Sequence, residues 1–272
     1  MESDSCWSRN ADDFHIVKTA ILYVTFARDI VWLDCSLQSI RKFGSGFSEI
    51  CIVVPTNDVD RFIKFEKSFG TSECPVRVKT FLEYPQKAFV HHLAMKCYAD
   101  AFIPDADLIL HMDPDCMFHA PFSPESYISK GKPILVIEPY EAIQKYHLPR
   151  YHWKSVTEDA LRFTCNYETM CRHPAIHHAW LYPKVRKHIE IVHQTPFIDF
   201  ALKQKNSFPQ GFGEFNTLGS YAVDRHPESY CLIDRGNSGE SADPKPLLTQ
   251  MWSYEGVNRN MAKIQEILNA HT

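Results

Sequence analysis

Two aspartates separated by one residue follow an apolar run near the middle of the chain. Asp113, Pro114 and Asp115 come directly after DLILHM, Asp107 to Met112, which is predicted to be a buried strand. Two carboxylates at the end of a strand can hold a hard divalent cation such as Mg²⁺ or Mn²⁺, and a diphosphate can complete the oxygen shell of that ion. The motif therefore predicts a site for a metal and a diphosphate, with Asp113 and Asp115 as metal ligands.

A histidine and a lysine lie on the helix that is predicted before this motif. His92 and Lys96 are spaced i, i+4, so they share one face of that helix and could point at a ligand from beside the sheet. A cation near a diphosphate would stabilise the charge of a leaving group, which favours Lys96 over His92 as a functional residue. A solvated helix surface explains the same spacing.

The residues that lead up to the motif predict alternating strands and helices. The predicted strands are Lys18 to Phe26, Glu49 to Pro55, Val76 to Tyr84 and Asp107 to Met112. Helices are predicted between them, the third over Pro85 to Phe102, and this alternation indicates a mostly parallel sheet with helices on both faces. Ligands of such sheets bind at the carboxyl ends of strands, so Thr25 to Asp29, Thr56 to Asp58 and Asp113 to Asp115 are expected to converge on one crevice.

The second half of the chain predicts fewer regular elements and longer loops that shape a site. The predicted elements are strands at Lys132 to Ile137 and Tyr230 to Ile233, and helices at Pro183 to Gln194, Pro196 to Lys205 and Val257 to Ala270. Ser155 to Glu158 has the pattern of a capping box that opens a helix. Gly211 to Gly219 is predicted to be a loop entering a short helix. Met261, Ile264 and Leu268 are expected to face inward from the last helix.

Composition indicates one globular domain. The chain has 272 residues, of which 44% are hydrophobic and 23% charged, and no linker divides it into two cores. A net charge of −4 without a dense Lys/Arg run argues against nucleic acid or an anionic membrane as the main partner. Nine irregularly spaced cysteines are typical of reduced thiols, and no long apolar segment is present, so a cytoplasmic location is predicted. Residues 1–15 are predicted to form a disordered tail.

The motif in its setting resembles the GT-A-fold glycosyltransferases, whose DxD motif ends such a strand. The resemblance rests on ADLILHMDPDCMF (Ala106 to Phe118), VTFARD (Val24 to Asp29), the helix and strand over Lys87 to Met112, and FGEFNTLGSY (Phe212 to Tyr221). The resemblance lies in the order of strands and helices, and it covers roughly two thirds of the chain. It implies one GT-A-like α/β domain over residues 16–272, with a Rossmann-like nucleotide-sugar half at 16–120 and an acceptor half at 121–272.

The resemblance also implies an activity and a set of donor contacts. A sugar would pass from a nucleoside diphosphate sugar, with a UDP-sugar favoured, to a hydroxyl or amine of a small molecule or glycan, assisted by Mn²⁺ or Mg²⁺. The donor contacts that it implies are Thr25, Phe26, Ala27 and Arg28 at the nucleotide, Asn57 or Asp58 at the base or ribose, and His92, Lys96, Asp113, Pro114, Asp115 and Trp252. Alternatively, Thr25 is a core residue and Asp58 caps a helix.

Two carboxylates are the catalytic candidates, Asp115 through the metal and Glu214 on the acceptor side. Glu214 lies near a predicted loop-to-helix junction and could deprotonate an acceptor in an inverting reaction. It could instead bind the acceptor, or be a helix N-terminal residue favoured by the dipole. Many GT-A enzymes supply a third metal ligand, often His, near the C-terminus; Gln250 to Val257 has none, and Glu255 is the substitute candidate.

Three other interpretations compete with this one. Asp113 and Asp115 could simply cap a turn. A haloacid-dehalogenase-like phosphohydrolase would use Asp113 as a nucleophile, but its motif ends the first core strand, whereas three predicted strands precede this one. A non-catalytic nucleotide-sugar or carbohydrate-binding protein would bind without turnover. Separately, Cys165 to His178 contains two cysteines and three histidines, in a spacing that matches no common zinc site.

Overall fold

The strands form where the sequence is apolar and rich in β-branched residues. The computed structural model of the chain describes residues 17–146, 148–170, 174–207, 211–238, 247–252 and 255–270. The strands are β1 (Thr19–Val24), β2 (Glu49–Pro55), β3 (Val76–Phe81), β4 (Leu108–Met112), β5 (Cys116–Phe118), β6 (Ile128–Ser129), β7 (Lys132–Pro139), β8 (Tyr167–Glu168), β9 (Ala175–His178), β10 (Cys231–Asp234) and β11 (Leu248–Gln250). The tail predicted at residues 1–15 lies outside the described residues.

Helices connect these strands. They are α1 (Ile30–Phe43), α2 (Val59–Phe62), α3 (Lys64–Phe69), α4 (Ala88–Lys96), α5 (Ala99–Phe102), α6 (Tyr140–Tyr146), α7 (Leu148–Tyr151), α8 (Trp153–Leu161), α9 (Leu181–His193), α10 (Phe197–Lys203), α11 (Glu214–Arg225), α12 (Arg235–Ser238) and α13 (Val257–Asn269). Single 3-10 turns cover Ala27–Asp29, Thr56–Asp58, Pro85–Lys87, Pro124–Tyr127 and Pro227–Ser229. Within the described ranges, no helix is long and apolar enough to cross a membrane.

A five-stranded sheet in the order β3-β2-β1-β4-β9 forms the centre of the domain. Strands β3, β2, β1 and β4 are parallel to their neighbours, and β9 pairs antiparallel with β4. Tyr23 of β1 stands opposite Met112 of β4, so the carboxyl ends of these two strands lie side by side. The segments that follow Val24 and Met112 therefore lie at the same edge of the sheet.

Both faces of the central sheet are covered by helices. Side chains of a strand alternate between faces. Accordingly, Ala20, Leu22 and Val24 pack into one core cluster, and Ile21 and Tyr23 into another. Residues of α4, α9 and α10 complete the first cluster, and residues of α1 and α13 complete the second. The structure confirms the predicted fold class, a single α/β domain with a mostly parallel sheet between helices.

Two smaller sheets extend the central one. In the first, β7 pairs parallel with β10 and antiparallel with β6 and β8. In the second, β5 pairs antiparallel with β11, which sets Gln250 opposite Cys116. This second pairing brings the C-terminal part of the chain next to Asp115.

Three predictions about individual elements are wrong. Ser155 to Glu158 does not open a helix, because α8 already begins at Trp153 and the Ser155 hydroxyl donates back to the His152 carbonyl. The third strand ends at Phe81, and the helix predicted over Pro85 to Phe102 is divided between α4 and α5.

The last helix and the helix after Gly211 also differ in detail from expectation. In α13 the buried residues are Ile264 and Ile267, whereas Met261 and Leu268 are only partly covered. The segment after Gly211 enters a full helix of 12 residues, α11. Burial against the rest of the domain, which helical periodicity alone does not specify, decides which side of each helix faces inward.

Gly219 of α11 gives a stability prediction. A Cβ atom at this position would overlap the hydroxyl and Cβ of Thr169, which is itself bonded to the Phe215 carbonyl. We expect Gly219→Ala to lower the free energy of unfolding by about 1–3 kcal/mol through overpacking, although alanine is the better helix former. Urea denaturation measures the change. The control is Gln265→Ala on the exposed side of α13, which should change the free energy of unfolding by less than about 0.5 kcal/mol; an equally small loss at Gly219 would contradict the packing argument.

Buried histidines give a pH prediction. Burial lowers the pKa of His177 to about 3 and that of His92 to about 4, and it also lowers the pKa values of His91 and His178. At these four histidines, the unfolded chain therefore binds more protons than the folded one as the pH falls below about 6.5. We expect the free energy of unfolding to decrease from pH 6.5 towards pH 4, as measured by urea denaturation at several pH values. His177→Asn should flatten this dependence; an unchanged slope would contradict the role of His177.

Candidate functional site

A cavity of about 670 Å³ opens at the carboxyl ends of β1 and β4. Its charged and polar lining comprises Arg28, Asp29, His92, Lys96, Asp113, Asp115, Arg150, Glu214 and Gln250. Its apolar lining comprises Phe89, Leu93, Pro114, Trp153, Met170, Phe215 and Trp252. The two aspartates therefore lie where parallel sheets usually bind ligands.

The cavity contains a buried ion cluster centred on Lys96. Lys96 is 3% exposed, and its Nζ lies 2.9 Å from Asp113 Oδ1 and 2.8 Å from Glu214 Oε1. The ammonium also lies 4.5 Å from the centre of the Phe215 ring, a cation–π distance. Three elements supply these groups: the end of α4, the turn after β4 and the first turn of α11.

The environment keeps Lys96 charged. Burial by itself disfavours the ammonium, but the neighbouring carboxylates of Asp113 and Glu214 outweigh it and raise the pKa of Lys96 above its ordinary value. A buried charge is tolerated only when it is paired and hydrogen-bonded, and here two carboxylates meet that condition. The cluster therefore joins the predicted metal motif to the predicted acceptor-side carboxylate.

The second aspartate of the motif is held from the C-terminal side. Asp115 is 7% exposed, and Gln250 Nε2 lies 3.5 Å from its Oδ1. The Met251 amide donates to the Asp115 carbonyl at 2.8 Å, and the Cys116 amide donates to the Asp113 carbonyl at 3.0 Å. These backbone bonds fix the turn, so both carboxylates stay on the cavity side.

His92 contributes a neutral imidazole to the cavity. Its Nε2 lies 2.7 Å from the carbonyl oxygen of Val24. A carbonyl only accepts, so Nε2 carries the proton and donates. Burial is the main reason why the pKa of His92 falls to about 4, with the Lys96 charge adding to it. Above about pH 5, His92 therefore offers a ligand an uncharged ring of fixed tautomer.

The structure brings together most, though not all, of the residues predicted for the site. Those that line the cavity are Arg28, His92, Lys96, Asp113, Pro114, Asp115, Glu214 and Trp252. Those that do not are Thr25, Phe26, Ala27, Asn57, Asp58 and Glu255. The cavity thus collects the predicted residues of the motif, α4 and α11 with Arg28 and Trp252, but none of those predicted after β2.

The residues outside the cavity hold the loops around it. Thr25 is buried, and its amide donates to the Val53 carbonyl, which fits its alternative reading as a core residue. Phe26 is buried against the His92 ring. Asp58 makes no side-chain cap on the helix it precedes; its Oδ2 accepts the Ala27 amide at 3.1 Å. Asp58 thus ties the loop after β2 to the loop after β1.

Glu255 does not complete a metal-ligand group. In the described ranges, no three His, Cys, Asp or Glu side chains come together as a set that could hold a metal ion. The same holds for the described residues of the segment from Cys165 to His178, which do not include Cys171 and His173. Within that segment the His177 ring lies 3.4 Å from the Tyr230 hydroxyl. Any metal at Asp113 and Asp115 would need further ligands from a substrate or from water.

Several lining residues carried no signal in the sequence. Arg150 contacts Glu168 Oε2 at 2.6 Å and Glu138 Oε2 at 3.0 Å, which anchors one wall of the cavity. Trp153 packs against the entrance to α11, where a Cβ on Gly213 would lie 2.5 Å from its ring. These contacts join residues that are distant in the chain. Only the longer loops predicted for the second half point to such a wall.

Trp252 stands at the cavity in an unusual backbone conformation. Its φ is 53°, in the left-handed region that favours glycine, and 50% of the residue is exposed. A non-glycine residue in this region costs on the order of 1–2 kcal/mol. Such strain is found preferentially at functional positions. Trp252 therefore combines a place in the cavity lining with a strained backbone, a combination that Lys130, Arg162 and Gln194, the other described non-glycine residues of positive φ, do not have.

The fold and the cavity define a single-domain α/β protein with an acidic, lysine-centred cleft at the carboxyl ends of its parallel strands. The chain belongs to DUF6492, a family of unknown function, which it matches over residues 18–218. No curated protein matches the chain. Lys96, Asp113, Asp115 and Glu214 all fall inside the matched region, whereas Trp252 and Glu255 fall outside it.

Proposed function

We propose that the cavity binds a nucleoside diphosphate sugar with a divalent cation and transfers the sugar to an acceptor hydroxyl or amine. The observation that carries this proposal is the convergence of Asp113, Asp115, Lys96 and Glu214 in one cavity at the carboxyl ends of β1 and β4. A paired aspartate motif alone occurs often by chance. Its place beside a crevice large enough for a small-molecule ligand is a stronger argument.

The charge of the cavity favours a metal-assisted donor. Four carboxylates and three cationic side chains line it, so with His92 neutral the lining carries one net negative charge. A diphosphate would be repelled by such a lining unless a divalent cation accompanied it. A UDP-sugar with Mn²⁺ or Mg²⁺ is the donor that we favour within this class, in line with the GT-A resemblance.

The two carboxylates of Asp113 and Asp115 match the usual binding of Mg²⁺ in proteins. Mg²⁺ is commonly held by one or two carboxylates, with substrate phosphates and water in the remaining positions, so Asp113 and Asp115 suffice without Glu255. When bound, the cation neutralises the charge that develops on the departing diphosphate. Gln250 and the turn between β4 and β5 orient Asp115 for this task.

Glu214 is the residue to which we assign the proton of the acceptor. Its Oε1 is held by Lys96 at 2.8 Å, which fixes the orientation of the carboxylate in the wall of the cavity. In an inverting reaction, the acceptor oxygen bonds to the anomeric carbon as the bond from that carbon to the diphosphate breaks. The acceptor proton passes to Glu214, and the nucleoside diphosphate leaves.

Ligand-induced stabilisation tests the proposal. A UDP-sugar with Mn²⁺, at about 100 times its dissociation constant, should stabilise the fold by about 2.7 kcal/mol and raise the melting temperature by about 5 °C or more. A panel of sugar nucleotides with and without Mn²⁺ measures this shift. A metal-dependent shift that persists in Asp113→Ala and Asp115→Ala would overturn the assignment of the site.

Turnover of a labelled sugar nucleotide decides between the candidate activities. Transfer to an acceptor supports a glycosyltransferase, binding without turnover supports a carbohydrate- or nucleotide-sugar-binding protein, and release of phosphate from a phosphate monoester supports a phosphohydrolase with Asp113 as nucleophile.

The proposed location is the cytoplasm, which suits the free thiols of Cys35, Cys51, Cys97, Cys116 and Cys165.

A further inference from the structure

Lys96 is fully engaged within the protein. An ammonium group has three N–H donors. One faces Asp113 Oδ1 at 2.9 Å, a second faces Glu214 Oε1 at 2.8 Å, and the ammonium lies over the Phe215 ring at 4.5 Å. At 3% exposure, Lys96 presents almost no surface to the cavity. The Lys96 ammonium is therefore not available to bind a diphosphate. It is a counter-ion for the carboxylates of Asp113 and Glu214.

One of those carboxylates is the proposed metal ligand. A divalent cation at Asp113 and Asp115 would share the Asp113 carboxylate with the Lys96 ammonium, and two cations on one carboxylate repel each other strongly in a site shielded from water. Glu214 is a second anion near Lys96, with Oε1 at 2.8 Å from Nζ against 2.9 Å for Asp113 Oδ1. The ammonium can therefore stay buried and paired when a metal binds the Asp113 carboxylate.

We propose that Lys96 is an internal counter-ion that competes with the divalent metal for Asp113 and is kept in place by Glu214 when the metal binds. The inference rests on the metal site of the proposed function. It makes Lys96 a positioning residue that sets metal affinity, and it gives Glu214 a second task as the anion that retains Lys96 in the metal-bound state, before Glu214 takes up the acceptor proton. Without metal, the same lysine prevents the clustered carboxylates from repelling one another.

Metal affinity in the absence of nucleotide is the direct test. The variant Lys96→Met/Glu214→Gln removes the competing cation and one carboxylate together, so the net charge of the cluster equals that of the wild type. We expect Mn²⁺ to bind this variant at least about tenfold more tightly, as measured by calorimetry and by the electron paramagnetic resonance signal of free Mn²⁺. Circular dichroism and thermal unfolding verify that the variant is folded.

Two single variants sharpen the test. In Glu214→Gln, Lys96 keeps Asp113 as its one carboxylate partner, so Mn²⁺ should bind several-fold more weakly than to the wild type. Lys87→Met is the control: Lys87 also lies at α4, but its Nζ bonds to the Gln204 carbonyl, and Mn²⁺ affinity should not change.

The possible outcomes separate this inference from the proposed function. If the double variant binds Mn²⁺ no more tightly than the wild type, the counter-ion role is wrong, while metal-dependent binding of a sugar nucleotide can still hold. If neither the wild type nor any variant binds Mn²⁺, with or without nucleotide, both the counter-ion role and the metal site are wrong. Tighter binding by the double variant supports the counter-ion role even if no sugar is transferred.

Discussion

Asp115→Asn is expected to slow sugar transfer by about a thousandfold. The substitution keeps the size of the side chain but removes the negative charge that would hold the cation against the leaving diphosphate. Metal stabilisation of a transition state contributes several kcal/mol, and about 4 kcal/mol corresponds to about a thousandfold in rate. The measurement is kcat/KM for transfer from a radiolabelled UDP-sugar, with Mn²⁺ varied at each donor concentration.

Asp29→Asn is the matched control for this prediction. Asp29 also lines the cavity, but its carboxylate lies 3.5 Å from Arg28 Nε, and it follows β1 rather than β4. Its loss should change kcat/KM by less than about tenfold, since an ion pair with an arginine that is 76% exposed is worth about 1 kcal/mol or less. Equal losses in the two variants would mean that the cavity needs overall negative charge rather than a metal ligand at Asp115.

The central sheet could be predicted because its signal is local. β1, β2 and β4 are short apolar runs that end in polar residues, and burial on both faces of a parallel sheet requires that composition. The order of these strands then placed Asp113 and Asp115 at a carboxyl edge. Errors arose where tertiary packing overrides local pattern, as in the early start of α8 at Trp153.

The candidate site could be predicted only where its residues follow strands or share a helix face. Asp113 and Lys96 are of this kind. The pairing of Lys96 with Glu214 spans 118 residues, and the contact of Arg150 with Glu168 depends on the position of α7 beside β8. No periodicity encodes such distances. The sequence therefore indicates both carboxylates of the Lys96 cluster but not that one lysine joins them.

Lys96→Met is expected to lower the free energy of unfolding by about 3–5 kcal/mol. Methionine can follow the path of the lysine stem but leaves Asp113 and Glu214 facing each other without the cation between them. Removing one partner of a buried ion pair leaves an uncompensated buried charge, and this is the usual size of the penalty. Urea denaturation at pH 7.5 without metal measures it, with Lys154→Met as the control.

The control and the double variant decide whether charge is the cause. Lys154 lies 3.8 Å from Glu158 on the partly exposed face of α8, and its loss should cost less than about 1 kcal/mol. Adding Glu214→Gln to Lys96→Met removes one of the two stranded carboxylates, so the double variant should regain part of the lost stability. If the double variant is instead as unstable as the sum of the single changes, the two substitutions are not coupled, and repulsion between the stranded carboxylates is not the cause of the loss.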